Sequence, residues 1–100
     1  MKPLIHFAHA NGVPSRVYQK LFDGLKDEYD IIYVPLLGPD KRYPIDNHWN
    51  SLTQQVIDSI VRQAQGRQVI GLGHSLGGAL TMMAARQRPE LFKQVIMLDP

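Results

Sequence analysis

The 100-residue sequence contains no cysteine, and this absence excludes several kinds of chemistry. Without thiols the chain has no disulfide scaffold, no cysteine nucleophile and no thiolate metal ligand, and its composition is compatible with a reducing cytoplasm. The chain also has little excess of one charge over the other, because its formal net charge is +2 and its longest basic run is Lys41-Arg42. This charge distribution does not indicate a surface that binds nucleic acid or a membrane, so we expect neither as a partner.

Long hydrophobic runs are lacking as well. The apolar segment Leu4 to Ala8 is short and is interrupted by His6, so it predicts neither a signal peptide nor a membrane span. Hydrophobic residues at 44% and charged residues at 20% are typical of an ordinary globular chain. We therefore expect a cytoplasmic protein with a small hydrophobic core.

What the sequence does contain is a regular alternation of short apolar runs with segments of helical period. The predicted strands are Leu4 to Ala8, Ile31 to Leu36, Gln68 to Leu72 and Gln94 to Leu98. Each is mostly apolar, as a strand buried on both faces should be. The alternation predicts an α/β fold with a doubly wound, mostly parallel sheet and crossover helices on both faces.

Three helices are predicted between and after these strands. The first begins at Ser15, whose hydroxyl would cap free backbone N–H groups. The second begins near Asp46 or Asn47, and the third runs from about Leu76 to Arg88 before a proline. The second helix carries an apolar stripe made of Trp49, Leu52, Val56, Ile57, Ile60 and Ala64.

The motif that carries chemistry lies where the third strand meets the third helix. Residues 71–79 read Gly-Leu-Gly-His-Ser-Leu-Gly-Gly-Ala, which contains the G-x-S-x-G nucleophile elbow. In this turn the serine backbone is strained, and side chains two residues to either side would collide. Gly73 and Gly77 relieve that crowding, so the hydroxyl of Ser75 can project above the sheet as a candidate nucleophile.

Two known types of phosphate-binding glycine loop also lie between a strand and a helix, and the sequence matches neither motif. A dinucleotide G-x-G-x-x-G that starts at Gly71 needs glycine where Leu76 stands. A P-loop that starts at Gly73 needs lysine where Ala79 stands. A structural serine in a glycine-rich turn is the remaining alternative to the nucleophile.

A second motif, His9-Ala10-Asn11-Gly12, follows the first strand. Together with the elbow, and with the spacing between the two, it resembles the α/β-hydrolase family, in particular its bacterial esterase-like branch. The resemblance implies that the backbone N–H groups of Asn11 and Leu76 form an oxyanion hole. It also implies that His9 holds its loop and that His74 is a supporting residue of the elbow.

The family places its triad in the order serine, acid, histidine, so the general base must follow Ser75. No histidine does, and the four that are present, His6, His9, His48 and His74, are interpreted as structural. Asp99 stands where some members place the acid, although a polar residue ending a strand is the interpretation we favour. The resemblance therefore implies that residues 1–100 are the N-terminal part of one domain, truncated after the strand ending near Leu98, with later strands and a cap outside it.

The function implied is that of a serine hydrolase that attacks an ester-like carbonyl through an acyl-enzyme and is closest to a carboxylesterase. Thioesterases, acyltransferases and other chemistries of the fold are alternatives, as is a non-catalytic ligand-binding member. The partner expected is a small acyl or ester substrate. No cofactor is expected, and no histidine pair has the spacing of a metal site.

Overall fold

A parallel sheet organises residues 2–38 and 49–98, which are the residues that the computed structural model describes. Within this part of the chain the strand order is β2-β1-β3-β4, and every neighbouring pair is parallel. The strands are β1 (Leu4–Ala8), β2 (Asp30–Tyr33), β3 (Val69–His74) and β4 (Phe92–Leu98). The helices are α1 (Gln19–Leu25), α2 (Asn50–Ala64) and α3 (Leu76–Gln87), with 3₁₀ turns at Ser15–Tyr18 and Pro89–Leu91. The predicted α/β architecture is confirmed.

Helices cover both faces of the sheet, as predicted, and β1 shows why. Its side chains alternate between two apolar clusters, because successive residues of a strand point to opposite faces. Leu4 and Ala8 belong to the cluster that includes the buried residues of α2 and α3. Ile5 and Phe7 belong to the other cluster, together with Phe22 of α1. All five residues of β1 are buried, so this strand lies at the centre of the core.

Strand β2 is shorter than predicted, because it ends at Tyr33 and not at Leu36. Pro35 has no backbone N–H to donate to a neighbouring strand, so the ladder ends before it. Strand β3 is longer than predicted and runs as far as His74, directly into the elbow.

The first helical segment begins at Ser15 as predicted, but the capping role assigned to this serine is wrong. Its hydroxyl donates to the carbonyl oxygen of Val34 at 2.5 Å, and its N–H donates to the carbonyl oxygen of Pro35 at 3.1 Å. Ser15 is fully buried, and its hydroxyl and N–H take partners from the segment directly after β2 and not from its own helix. The residue thereby fixes the start of the Ser15–Tyr18 turn on the sheet.

Helix α2 begins at Asn50, later than the predicted start near Asp46 or Asn47, which both lie outside the described residues. Trp49 precedes the helix with a φ of 58°, a left-handed conformation that cannot continue an α-helix. Trp49 is 45% exposed and is not part of the buried stripe. The other predicted members of the stripe are buried: Leu52, Val56, Ile57, Ile60 and Ala64.

Helix α3 ends at Gln87, just before Pro89, as the sequence predicts. It leads through a short 3₁₀ turn to β4, which lies at one edge of the described sheet and has exposed apolar side chains at Ile96 and Leu98. None of the described helices is long and apolar enough to cross a membrane.

Candidate active site

The turn between β3 and α3 holds Ser75 in a conformation that few non-glycine residues adopt. Its φ is 55° and its ψ is −116°, and α3 begins at the next residue. The predicted strand, sharp turn and helix are therefore confirmed, together with the predicted backbone strain. Ser75 is exposed, and its side chain does not cap α3.

The two glycines that flank Ser75 are required by the closeness of the backbone. A Cβ atom added to Gly73 would lie 2.5 Å from the backbone of Gly77. A Cβ atom added to Gly77 would overlap the backbone carbonyl group of Ala8, at the end of β1. Real Cβ atoms do not approach other atoms so closely. A side chain at Gly73 therefore forces the start of α3 away from β3, and a side chain at Gly77 forces it away from β1.

The loop after β1 is held by His9, whose two ring nitrogens are both hydrogen-bonded. Nδ1 donates to the carbonyl oxygen of Ala10 at 2.7 Å, and Nε2 accepts the N–H of Leu37 at 2.6 Å. A carbonyl can only accept and an N–H can only donate, so these partners fix the neutral tautomer with its proton on Nδ1. Burial lowers the pKa of His9, while the bond to Ala10 opposes that shift. With both nitrogens engaged, His9 is not free to act as a general base.

The same bonds orient the backbone N–H of Asn11. The carbonyl of Ala10 accepts from His9 and also from the N–H of Val13 at 3.0 Å. That carbonyl and the Asn11 N–H belong to one peptide plane, which is trans and therefore points them in opposite directions. The Asn11 N–H is thus turned away from the interior that holds His9.

Asn11, Ser75 and Leu76 meet at one cleft at the carboxyl edge of the sheet. The cleft has a volume of about 520 Å³. Its lining consists of Asn11, Trp49, Leu52, Ser75, Leu76, Ala79 and Met97. The first N–H groups of an α-helix have no intrahelical partner and carry partial positive charge, so the start of α3 favours an anion here. The three residues that the sequence predicts to be the nucleophile and the oxyanion donors thus border a single cavity.

Comparison with known proteins places this arrangement in a family. The model of the thioesterase-domain family matches residues 2–97. The chain belongs to the thioesterase-domain family. An uncharacterised hydrolase of Bacillus subtilis, YugF, is 34% identical over 84 residues, covering 81% of this chain and 30% of that protein. A type I acyl-CoA thioesterase of Penicillium brevicompactum, mpaH', is 24% identical over 107 residues, covering 92% of this chain and 25% of that protein.

The fold of this thioesterase-domain chain is also that of solved α/β-hydrolases, as the sequence motifs imply. A CIB-like hydrolase from Thermoplasma acidophilum superimposes with a TM-score of 0.76 at 20% identity, covering 95% of this chain and 50% of that one. The chain thus spans about a third or less of the curated relatives named above and half of this structural neighbour. The α/β-hydrolase fold that the sequence motifs imply is confirmed.

The other two histidines that the structure describes, His6 and His74, are hydrogen-bonded to residues other than Ser75. His6 is fully buried in β1, where its Nε2 lies 2.8 Å from the hydroxyl of Ser59 on α2. The Nδ1 atom of His74 is hydrogen-bonded to the hydroxyl of Tyr18 at 2.9 Å. His48 and Asp99 lie outside the described residues. Across residues 2–38 and 49–98, no cluster of histidine and carboxylate side chains is suited to hold a metal ion.

Tyr18 is the site residue that sequence reasoning missed. In the sequence, Val17, Tyr18 and Leu21 are apolar or aromatic residues at the spacing of one face of the first helix. Tyr18 is partly buried as this pattern predicts, whereas Val17 is exposed. The hydroxyl of Tyr18, however, contacts both the loop after β1 and the elbow. A tyrosine in an otherwise apolar stripe is the one signal that could have indicated a buried polar contact, because a buried phenol needs a partner.

Proposed function

We propose that this chain carries the nucleophile and the oxyanion hole of a serine hydrolase that cleaves thioesters or esters of apolar acyl groups. The observation that carries the proposal is the position of Ser75, which is exposed on a strained elbow and shares one cleft with Asn11 and Leu76. A structural serine in a glycine-rich turn would need neither the strain nor the two neighbouring amides. Membership of the thioesterase-domain family supports the same reaction class.

In the proposed reaction, Ser75 Oγ attacks the carbonyl carbon of the substrate as a general base removes the hydroxyl proton. The carbonyl oxygen becomes an oxyanion, which the N–H groups of Asn11 and Leu76 stabilise. Collapse of the tetrahedral intermediate breaks the bond to the thiol or alcohol, which leaves with the proton held by the base. Water then attacks the acyl-enzyme and releases the acid and free Ser75.

We propose that the general base comes from outside the described residues. His6 and His9 are buried and committed to other partners, and Nδ1 of His74 is bonded to Tyr18. We propose, as the family order implies, that a histidine and its acid follow Ser75 on later strands of the same domain. Asp99 remains a candidate for the acid.

The lining of the cleft supports an apolar acyl group as the part of the substrate next to Ser75. Five of the seven described residues that line it are apolar, and none of the seven is charged. Apolar walls favour an alkyl chain over a charged one, because a buried charge without a partner is costly. We further propose a cytoplasmic location, which the lack of cysteine supports.

Hydrolysis of matched substrates tests this function. The intact protein is assayed with acyl-CoA thioesters and with p-nitrophenyl esters that carry the same series of alkyl chains. We expect turnover of at least one series, with a preference for alkyl over charged acyl groups. Ser75→Ala should abolish turnover, whereas Ser51→Ala, which removes another incompletely buried serine from α2, should retain it.

The comparison of the two series assigns the leaving group. Faster turnover of thioesters makes the protein a thioesterase, whereas faster turnover of oxygen esters makes it a carboxylesterase. A folded protein that binds these substrates but turns over neither series contradicts the proposal and favours a non-catalytic ligand-binding member of the fold. Turnover that persists in Ser75→Ala also contradicts it.

A further inference from the structure

One side-chain hydroxyl joins the two loops of the candidate active site. The N–H of Ala10 donates to the hydroxyl oxygen of Tyr18 at 3.2 Å, and that oxygen lies 2.9 Å from Nδ1 of His74. A backbone N–H can only donate, so the hydroxyl oxygen of Tyr18 accepts from Ala10. The same hydroxyl is hydrogen-bonded to Nδ1 of His74, and the tautomer of His74 decides which of the two atoms donates. Ala10 directly precedes Asn11, and His74 directly precedes Ser75. Tyr18 therefore connects the neighbour of the oxyanion donor to the neighbour of the nucleophile.

The position of Tyr18 is fixed from three sides. It ends the 3₁₀ turn that begins at Ser15, and the hydroxyl of Ser15 is bonded to the carbonyl of Val34. Its ring packs against Phe7 of β1 with a centroid separation of 4.6 Å. It also meets the ring of His74 edge to face at 5.8 Å. A ring held in this way directs its hydroxyl to one place.

The bond from Tyr18 complements the bonds that His9 makes in the same loop. His9 and Val13 hold the carbonyl of Ala10, which sets the direction of the Asn11 N–H. The two bonds to the Ala10 carbonyl lie within the loop, and the bond between Leu37 and His9 runs to the segment after β2. None of these three bonds reaches the elbow. The N–H of Ala10 is the group through which the loop is tied to the elbow by a side chain. His9 thus sets the direction in which the Asn11 N–H points. Tyr18 sets the distance between the loop that carries Asn11 and Ser75.

Building on the proposed function, we propose that Tyr18 is a positioning residue that holds the Asn11 N–H at its working distance from Ser75. An oxyanion donor acts only when it lies about 2.7–3.1 Å from the oxyanion, so a loop displaced by a fraction of an ångström loses much of its effect. Tyr18 does not contact the substrate. It acts through Ala10 and His74, and its hydroxyl is the atom that matters.

The test compares two tyrosine-to-phenylalanine variants of the intact protein. Tyr18→Phe removes the bridging hydroxyl and keeps the ring. Tyr29→Phe is the matched control, because Tyr29 packs against the same apolar cluster but directly precedes β2, at the opposite end of the sheet. With the preferred ester or thioester, we expect Tyr18→Phe to lower kcat about tenfold, less than the 10²–10³-fold loss that follows removal of a donor. KM should stay within about twofold, because the donor acts mainly in the transition state.

A second readout does not depend on activity. Hydrogen–deuterium exchange of the backbone amide of Ala10 should become faster in Tyr18→Phe, because its acceptor is gone, and should be unchanged in Tyr29→Phe. Faster exchange together with a selective loss of kcat supports the positioning role. Unchanged exchange in Tyr18→Phe overturns it, and so does faster exchange with unchanged kcat. A native protein that lacks any Ser75-dependent turnover overturns both the proposed function and this role, whereas the other outcomes leave the function of Ser75 intact.

Discussion

The backbone N–H of Ser75 donates to the carbonyl oxygen of Leu98 at 3.0 Å. This bond ties the elbow to the end of β4, so the sheet itself holds the strained serine in place. It also commits the Ser75 amide, whereas the Leu76 amide is the first N–H of α3 and has no intrahelical partner. The choice of Leu76 as an oxyanion donor thus has a structural reason beyond the family resemblance.

The strain at Ser75 predicts that a variant can lose activity and gain stability. Glycine adopts a φ of 55° without steric penalty, whereas alanine keeps the Cβ atom that causes it. Ser75→Gly relieves strain of about 1–3 kcal/mol, but glycine loses more conformational entropy when the chain folds. We therefore expect the free energy of unfolding to rise by about 1 kcal/mol in Ser75→Gly. Denaturant unfolding should show Ser75→Gly to be more stable than Ser75→Ala, with both inactive. Equal or reversed stabilities would mean that the elbow is not strained.

A second prediction concerns the close approach of the elbow to β1. Gly77→Ala places a methyl group on the carbonyl of Ala8, so we expect a loss of about 3 kcal/mol or more in the free energy of unfolding. Gly24→Ala is the matched control, because nothing lies within 4 Å of a Cβ atom there and the position is in helix α1. It should raise stability by about 0.5–1 kcal/mol. Similar melting temperatures for the two variants would contradict the packing described here.

Buried His6 predicts a pH dependence of stability. Burial lowers the pKa of His6 from 6.5 to about 3, and no described residue partners its Nδ1. Below pH 6.5 the side chain of His6 therefore takes up a proton in the unfolded chain but stays neutral in the folded chain. The free energy of unfolding therefore falls as the pH falls toward 3. The slope from one such group is at most about 1.4 kcal/mol per pH unit.

The variant that checks this is His6→Gln, which does not titrate. Its free energy of unfolding should fall less steeply than that of the native protein between pH 6 and pH 4, by about 1 kcal/mol per pH unit. The carboxylates contribute equally to both proteins and cancel in the comparison. Identical slopes would show that His6 takes up its proton in the folded state as readily as in the unfolded one.

The cleft predicts that acyl-chain preference can be shifted from α3. Ala79 lines the cavity, and Ala79→Leu fills part of its 520 Å³ with a larger side chain. We expect kcat/KM to fall for long acyl chains about 10-fold or more relative to short ones, since lost apolar contact is worth about 1–3 kcal/mol. Ala85→Leu, also on α3 but not among the residues that line this cavity, is the control and should leave the ratio unchanged. An equal loss for all chain lengths would place the acyl group elsewhere.

The sequence was sufficient for the features that depend on local pattern. The apolar run of β1 gave its bounds correctly, and Pro89 correctly marked the end of α3. The elbow was predictable because G-x-S-x-G has a steric cause that any strand-to-helix turn of this kind shares. Ser75, Asn11 and Leu76 could be assigned to one edge of the sheet, since the carboxyl ends of parallel strands meet there.

What the sequence could not reveal depends on partners distant along the chain. Ser15 has the residue type of a helix cap, but its hydroxyl is bonded to Val34, which only the folded arrangement brings near. Trp49 fits a helical period, yet its left-handed backbone places it before the helix and beside the cleft. The Tyr18 bridge joins residues 8 and 56 positions away, so no local pattern encodes it.

Covalent labelling of the intact protein with a fluorophosphonate tests the central claim most directly. Such a probe reacts with a serine that is both activated by a base and placed beside an oxyanion hole. We expect a single labelled peptide at neutral pH, with the adduct on Ser75, and no labelling in Ser75→Ala. An intact, folded protein that stays unlabelled, or that is labelled at another serine, would contradict the assignment of Ser75 as the nucleophile.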